Sequence, residues 1–221
     1  MDMVYWRWAN PQRMNDRYYL RRIYNFETPV ERERYNRTLA AVLRQRAIDT
    51  WGDVFEVGCA EGIFTLELAP RCRSVTACDV SSVACRRAAE RCRQYSNVRI
   101  EHLDVVQGTI SGLYDLVFAM DVLDCIHGRG RINRVVANLA DAVRPGGLLI
   151  ISVCYLPSDW WARWLVENGD NLISFVQKRW DLRLIHQQQY PDPSHRIPGY
   201  LDHVIALFEK VESSDAIRCE L

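Results

Sequence analysis

A chain of 221 residues with 48% hydrophobic and 25% charged side chains holds enough apolar material for one globular domain with a full core, and two domains would be cramped. Its 28 basic and 28 acidic residues cancel, so no overall field draws it to nucleic acid or an anionic membrane, and a small-molecule partner is favoured. Eight cysteines with no C-x-x-C pair read as free thiols, which argues against disulfides and against a metal site.

No apolar run is long enough for a membrane span, and residues 1–7 lack the basic-then-apolar order of a secretion signal, so a cytoplasmic location is expected. Residues 1–50 are rich in arginine and aromatics and are expected to form an N-terminal helical lid segment, with a helix over 29–48 whose apolar positions are Tyr35, Leu39, Val42 and Leu43. A ligand-binding domain over 51–211 and a loose tail over 212–221 follow. In that domain the apolar runs 54–57, 75–79, 98–103, 116–120 and 148–153 read as strands, and the helical patterns near 63–69, 81–93 and 130–143 lie between them. Strict alternation of this kind implies a parallel sheet. Ser81 is positioned to cap the second of these helices, and Pro145-Gly146-Gly147 to turn the chain into the fifth strand. Beyond it, 158–170 reads as a helix, 180–185 and 204–208 as strands, and 187–199 as a long loop returning to the ligand rim.

The chemistry is concentrated in Glu56-Val57-Gly58-Cys59-Ala60-Glu61-Gly62, a strand that breaks at one glycine and starts a helix at another. Asp79 closes the next apolar run, where a carboxylate can accept from a ribose diol. Dinucleotide folds show three glycines and aim a helix at a pyrophosphate. Here Ala60 replaces the middle glycine, and Glu61 in the turn would repel a pyrophosphate but suit a cation. S-adenosylmethionine, a sulfonium with an ammonium and no phosphate, fits best. The segment resembles the first motif of the class I S-adenosylmethionine-dependent methyltransferases at all but the middle glycine. That resemblance implies a Rossmann-like three-layer α/β sandwich whose seven-stranded sheet is mostly parallel with the last strand antiparallel. It also implies cofactor contacts from Glu56, Gly58, Cys59, Ala60, Gly62, Asp79, Val80, Asp104, Val105 and Asp121. Asp104 would accept from the adenine amino group, although it can equally cap a turn. Val30-Glu31-Arg32-Glu33-Arg34-Tyr35-Asn36-Arg37-Thr38-Leu39 resembles the Tyr-Glu-x-x-Lys-Tyr-x-x-Thr-Leu segment of the nodulation-protein-S-like branch, with Arg34 for the lysine and Val30 for the tyrosine. That branch includes N-methylation of a deacetylated amino-sugar oligosaccharide.

Methyl transfer is in-line displacement, so catalysis is largely positioning and water exclusion, and a proton acceptor at the end of strand four is the natural addition. Asp121, Asp124 and His127 are the candidates, with His127 equally able to cap the next helix. Tyr24, Trp161, Tyr190 and His195 are candidate substrate contacts, the tryptophan being as readily a core residue. No metal is expected, and a homodimer is left open. The reading is a small-molecule N-methyltransferase; an O-methyltransferase, a non-catalytic nucleoside-binding module and an NAD-dependent oxidoreductase are the competitors.

Overall fold

The computed structural model describes residues 11–21, 26–46, 51–126, 128–155, 169–179, 181–191 and 202–211. Among the described residues two helices come first, α1 (Pro11–Leu20) and α2 (Pro29–Gln45). Then β1 (Trp51–Val57), α3 (Ile63–Leu68), β2 (Cys72–Asp79), α4 (Ser82–Arg91) and β3 (Val98–His102) alternate. The chain continues through β4 (Tyr114–Met120), α5 (Arg129–Ala142), β5 (Val143–Tyr155), α6 (Gly169–Gln177), β6 (Leu182–Pro191) and β7 (Asp202–Lys210). The strands form one sheet in the order β3-β2-β1-β4-β5-β7-β6. All pairings are parallel except the two made by β7, which runs antiparallel between β5 and β6.

Side chains alternate between two buried faces of the sheet, which makes this a three-layer sandwich. Along β4, Val117 and Ala119 pack with Ile132, Val136 and Leu139 of α5 and with Leu172 and Val176 of α6. The intervening Leu116 and Phe118 pack on the other layer, with Leu39 and Val42 of α2 and Phe64 and Leu68 of α3. Each such large side chain taken wholly out of water contributes about 1.5–3 kcal/mol, which is what holds α2 and α3 against a sheet face that would otherwise be wet. Local signals set the ends. Thr28 Oγ1 accepts from the Glu31 amide at 3.3 Å with Pro29 at the first position of α2, and Ser81 Oγ accepts from the Ala84 amide at 3.2 Å to cap α4.

Several boundaries differ from expectation. The Arg144–Gly147 turn sits inside β5, because Val143 already pairs with Tyr114 before the register shifts and Leu148 meets Leu116. Residues 187–191, read as a rim loop, are the second half of β6, paired with 202–206. An edge strand with one wet face carries polar residues, and Gln187, Gln188 and Gln189 hid it. The helix read over 158–170 falls mostly outside the described residues; α6 is described from Gly169. Among the described residues no helix is long and apolar enough to cross a membrane.

Candidate active site

The sheet order reverses between β1 and β4, the switch point where open α/β sheets take their ligands. There a cavity of about 780 Å³ is walled by the ends of β1, β2 and β4, by the segment after β3, and by α1 and α2. That size admits a nucleoside cofactor together with part of a second molecule.

Its floor is the turn after β1. Gly58 has φ +72°, and a Cβ there would lie 2.1 Å from Val122 Cγ2, so only glycine lets β1 pass beneath the Val122 segment. The Gly58 and Cys59 amides both donate to Cys78 O at 2.8 and 2.9 Å, tying the turn to the end of β2. Ala60 takes the left-handed conformation at φ 50° in the place of the missing glycine, a strain of about 1–2 kcal/mol. Its amide donates to Asp79 Oδ2 at 3.0 Å, and the Ser81 amide donates to Asp79 Oδ1 at 2.8 Å. Burial pushes the Asp79 carboxyl up while these two amides pull it down, leaving it raised overall. Two further lone pairs remain for a ribose diol, the use expected of it.

Ser81 also donates through Oγ to Asp16 Oδ1 at 2.5 Å, and the Val83 amide donates to the same oxygen at 3.2 Å. Asp16 thereby gives α4 a second cap from another helix, and seats α1 so that Asn15 and Tyr19 line the cavity. Arg87 Nη1 adds a bond to Tyr19 O at 2.9 Å.

At the opposite end, Glu56 is 2% exposed and accepts from Thr65 Oγ1 at 2.7 Å. Burial pushes its carboxyl up to about 7, so a cationic ligand group would be strongly favoured beside it. Glu31 and Arg34 project from α2 into the same end, with Arg34 Nη1 donating to both Glu31 oxygens at 3.0 and 3.1 Å and to Asp121 Oδ2 at 3.4 Å. Tyr35 lies among them, its ring tilted against Phe64 with ring centroids 5.1 Å apart. Burial, then the Glu31, Glu56 and Asp121 charges, push its phenol up, so it is a neutral donor.

Asp121 follows β4 with φ 50°. Its carboxylate accepts from Ser152 Oγ at 3.4 Å and lies 3.3 Å from His203 Nε2. Burial pushes its carboxyl up, but the hydrogen bond and charge of His203, with Arg34 and Ser152, outweigh that and hold it below the usual range. A carboxylate held this way is a fixed anion and a weak proton acceptor.

The structure gathers Glu56, Gly58, Cys59, Ala60, Asp79, Val80, Asp104, Val105 and Asp121 around one cavity. Gly62 stands behind it as the N-cap of α3, with φ +79°; a Cβ there would meet the Ala88 Cα at 3.1 Å, so it serves close packing of α3 on α4. Asp104 does cap a turn: its Oδ1 accepts from the Val106 amide at 2.9 Å and its Oδ2 from Gln107 Nε2 at 2.8 Å, while the residue still lines the cavity. Glu61 corrects the electrostatic argument. It lies off the cavity wall, bound by Arg87 and, at 3.6 Å, by Arg91. The carboxylates that face the ligand space are Glu31, Glu56, Asp79, Asp104 and Asp121.

Tyr190 lies in β6, buried behind the site, with the Arg37 guanidinium 4.8 Å above its ring and His203 5.8 Å away, so it does not reach the cavity. Asp124 falls in the short turn 123–125, and His127, Tyr24, Trp161 and His195 lie outside the described residues. Sequence reasoning did not assign Glu31, Arg34 and Tyr35 to the site, although their three- and four-residue spacing puts them on one face of a helix. His203, where the last strand begins, could be read from sequence as a residue facing substrate; the structure buries it behind the cavity instead, against Asp121. Among the described residues no group of three or more His, Cys, Asp or Glu could hold a metal ion.

Comparison with known proteins converges on one group. The family model of nodulation protein S (NodS) matches residues 18–179. Nodulation protein S of Sinorhizobium fredii strain NGR234 is 32% identical over 149 residues, 64% of this chain and 68% of the relative. Its counterpart from Rhizobium tropici is 34% identical over 122 residues, 55% of this chain but only 50% of the relative. Among solved structures, N-methyltransferase NodS from Bradyrhizobium japonicum WM9 in complex with S-adenosyl-L-homocysteine superposes with a TM-score of 0.71 at 24% identity, covering 84% of this chain and 90% of that one.

Proposed function

Because the chain belongs to the nodulation protein S family and is an S-adenosylmethionine-dependent methyltransferase of small molecules, we propose that it methylates nitrogen, on an amine carried by a sugar or a specialised metabolite. The observation that carries this is the charge at the end of the cavity nearest Asp121. Glu31 and Asp121 both pair with the Arg34 guanidinium and Glu56 lines the same cavity, a buried setting that favours the donor's sulfonium and the positive charge developing on an attacking nitrogen and disfavours a pyrophosphate.

The residues fit the cofactor. Asp79 would accept from the ribose hydroxyls, Asp104 and Val105 would flank the adenine, and Glu56 with Asp121 would receive the methionine ammonium. Bound there, S-adenosylmethionine supplies an electrophilic methyl carbon. The chain supplies the rest: Gly58 and Ala60 let backbone approach closely, and α1 and α2 close the cavity against water. Tyr35, a neutral hydrogen-bonding group, would orient the acceptor nitrogen, and the Glu31 carboxylate on the same wall would take its proton. Balanced charge supports a free small molecule over nucleic acid as acceptor.

Incubation with methyl-labelled S-adenosylmethionine and paired acceptors, amino-sugar oligomers with a free amine and their N-acetylated forms, tests the reading by mass spectrometry of the product. Labelled methyl is expected on the free amine only. Methyl on hydroxyls of both forms would make it an O-methyltransferase, and S-adenosylhomocysteine binding without turnover of any acceptor would make it a binding module. Thermal stabilisation by NAD and not by S-adenosylhomocysteine would overturn the cofactor.

A further inference from the structure

Asp121 is the wall residue with the most elaborate support, and most of that support comes from far away in the chain. Its amide donates to Ser152 O at 2.8 Å, which fixes the left-handed turn after β4. Oδ1 takes Ser152 Oγ from β5 and His203 Nε2 from β7, and Oδ2 takes Arg34 Nη1 from α2. His203 is 0% exposed and does not line the cavity. An apolar side chain would fill that space without the cost of desolvating an ionisable pair, so packing alone gives no reason for an imidazole there.

We infer that His203 is a positioning residue for methyl transfer, acting with Arg34 as a two-sided clamp that holds the Asp121 carboxylate in one orientation toward the cavity. The sheet side of the clamp is rigid, because β7 is hydrogen-bonded on both edges and the His203 ring rests on Tyr190 of β6. The α2 side is the adjustable one, since Arg34 divides its donors between Glu31 and Asp121. The charged and titratable groups around Asp121 are Arg34, Glu31 and Tyr35 from α2, Glu56 from β1 and His203 from β7. Without the imidazole donor, only Arg34 and Ser152 are left to oppose burial at Asp121, and the carboxyl takes up a proton at a higher pH. The anion that should meet the donor's ammonium is then lost.

The inference rests on the cofactor reading, and the test separates the two. S-adenosylhomocysteine affinity is measured by calorimetry for the natural chain, His203→Phe, His203→Gln and Arg34→Met between about pH 8 and about pH 5. The ratio of His203→Phe to natural Kd is expected to widen by roughly tenfold as pH falls across that range, because the variant's Asp121 takes up its proton at a higher pH than the natural chain's. Taking the ratio cancels titrations common to both proteins. His203→Gln, which keeps an N–H donor at similar reach, is expected to hold the ratio near one. Arg34→Met removes the other half of the clamp and is expected to widen its ratio in the same sense, which keeps the test open should His203→Phe fail to fold. A natural chain that binds tightly while every variant ratio is independent of pH overturns the clamp and leaves the cofactor reading intact. A natural chain that does not bind S-adenosylhomocysteine overturns both.

Discussion

The two ends of the cavity hold their key carboxylates by different means. Asp79 is held by main-chain amides, from Ala60 nineteen residues upstream and Ser81 two residues on, and both belong to the turns that make the fold. Asp121 is held by side chains, from Arg34 at a separation of 87 residues and Ser152 at 31, together with His203. Backbone donors cannot be substituted away, whereas side-chain donors can be exchanged one at a time. The proposed ribose end is therefore the harder to alter by exchanging a side chain, and the Asp121 end the easier.

The largest effect should come from removing the anchor held by main-chain amides. Asp79→Ala strips the proposed acceptor for two ribose hydroxyls and leaves the Ala60 and Ser81 amides without a partner, so S-adenosylhomocysteine affinity is expected to fall by roughly tenfold to a hundredfold in calorimetry. An unchanged Kd would break the comparison at its firmer end.

The second effect is a pH dependence from Glu56, whose ordinary value of 4.5 is raised to about 7 by burial. A raised carboxyl is protonated below that value in the ligand-free protein, and a bound cation favours its ionised form. Binding of S-adenosylhomocysteine should therefore release a proton, and affinity should rise with pH toward about 7 and then level. Calorimetry in buffers of different ionisation heat reads the released proton directly, and Glu56→Gln should flatten the profile.

A smaller effect is expected at the latch between α1 and the ribose end. Asp16→Ala removes a cap of α4 and the seat of α1, costing about 1 kcal/mol in chemical denaturation and weakening S-adenosylhomocysteine by a few fold through faster dissociation in stopped-flow. Equal dissociation rates would show that α1 does not close the cavity. Smallest of all should be Glu61→Gln. Its partners Arg87 and Arg91 are partly exposed and stand off the cavity, so under about 1 kcal/mol of stability and no change in affinity is expected.

The same contrast explains what could be read in advance. Gly58, Ala60, Asp79 and the Ser81 cap lie within one strand-turn-helix-strand-turn unit, so their spacing carries their geometry, and the sheet followed from the alternation of apolar runs. Glu61 was misjudged because its neutralising arginines come from α4, beyond β2, where nothing in the turn's own sequence announces them. Residues 187–191 were misjudged because a polar edge strand looks like a loop when its partner is unknown. His203 is the extreme case: a single histidine near the start of β7 acquires meaning only when the sheet order brings β7 beside β5, and β5 beside Asp121. Arg34 and Tyr35 were visible as part of a family pattern, but their contact with Asp121 needed the fold.

The central claim, that the cavity between the β1 turn and α2 holds the methyl donor with its ribose on Asp79 and its ammonium between Glu56 and Asp121, is tested most directly by a crystal structure grown with S-adenosylhomocysteine. The account predicts ribose hydroxyls on Asp79 and the amino group within hydrogen-bonding distance of the Glu56 or Asp121 carboxylate. Density for the ligand elsewhere, or in this cavity with the ribose away from Asp79, would contradict it.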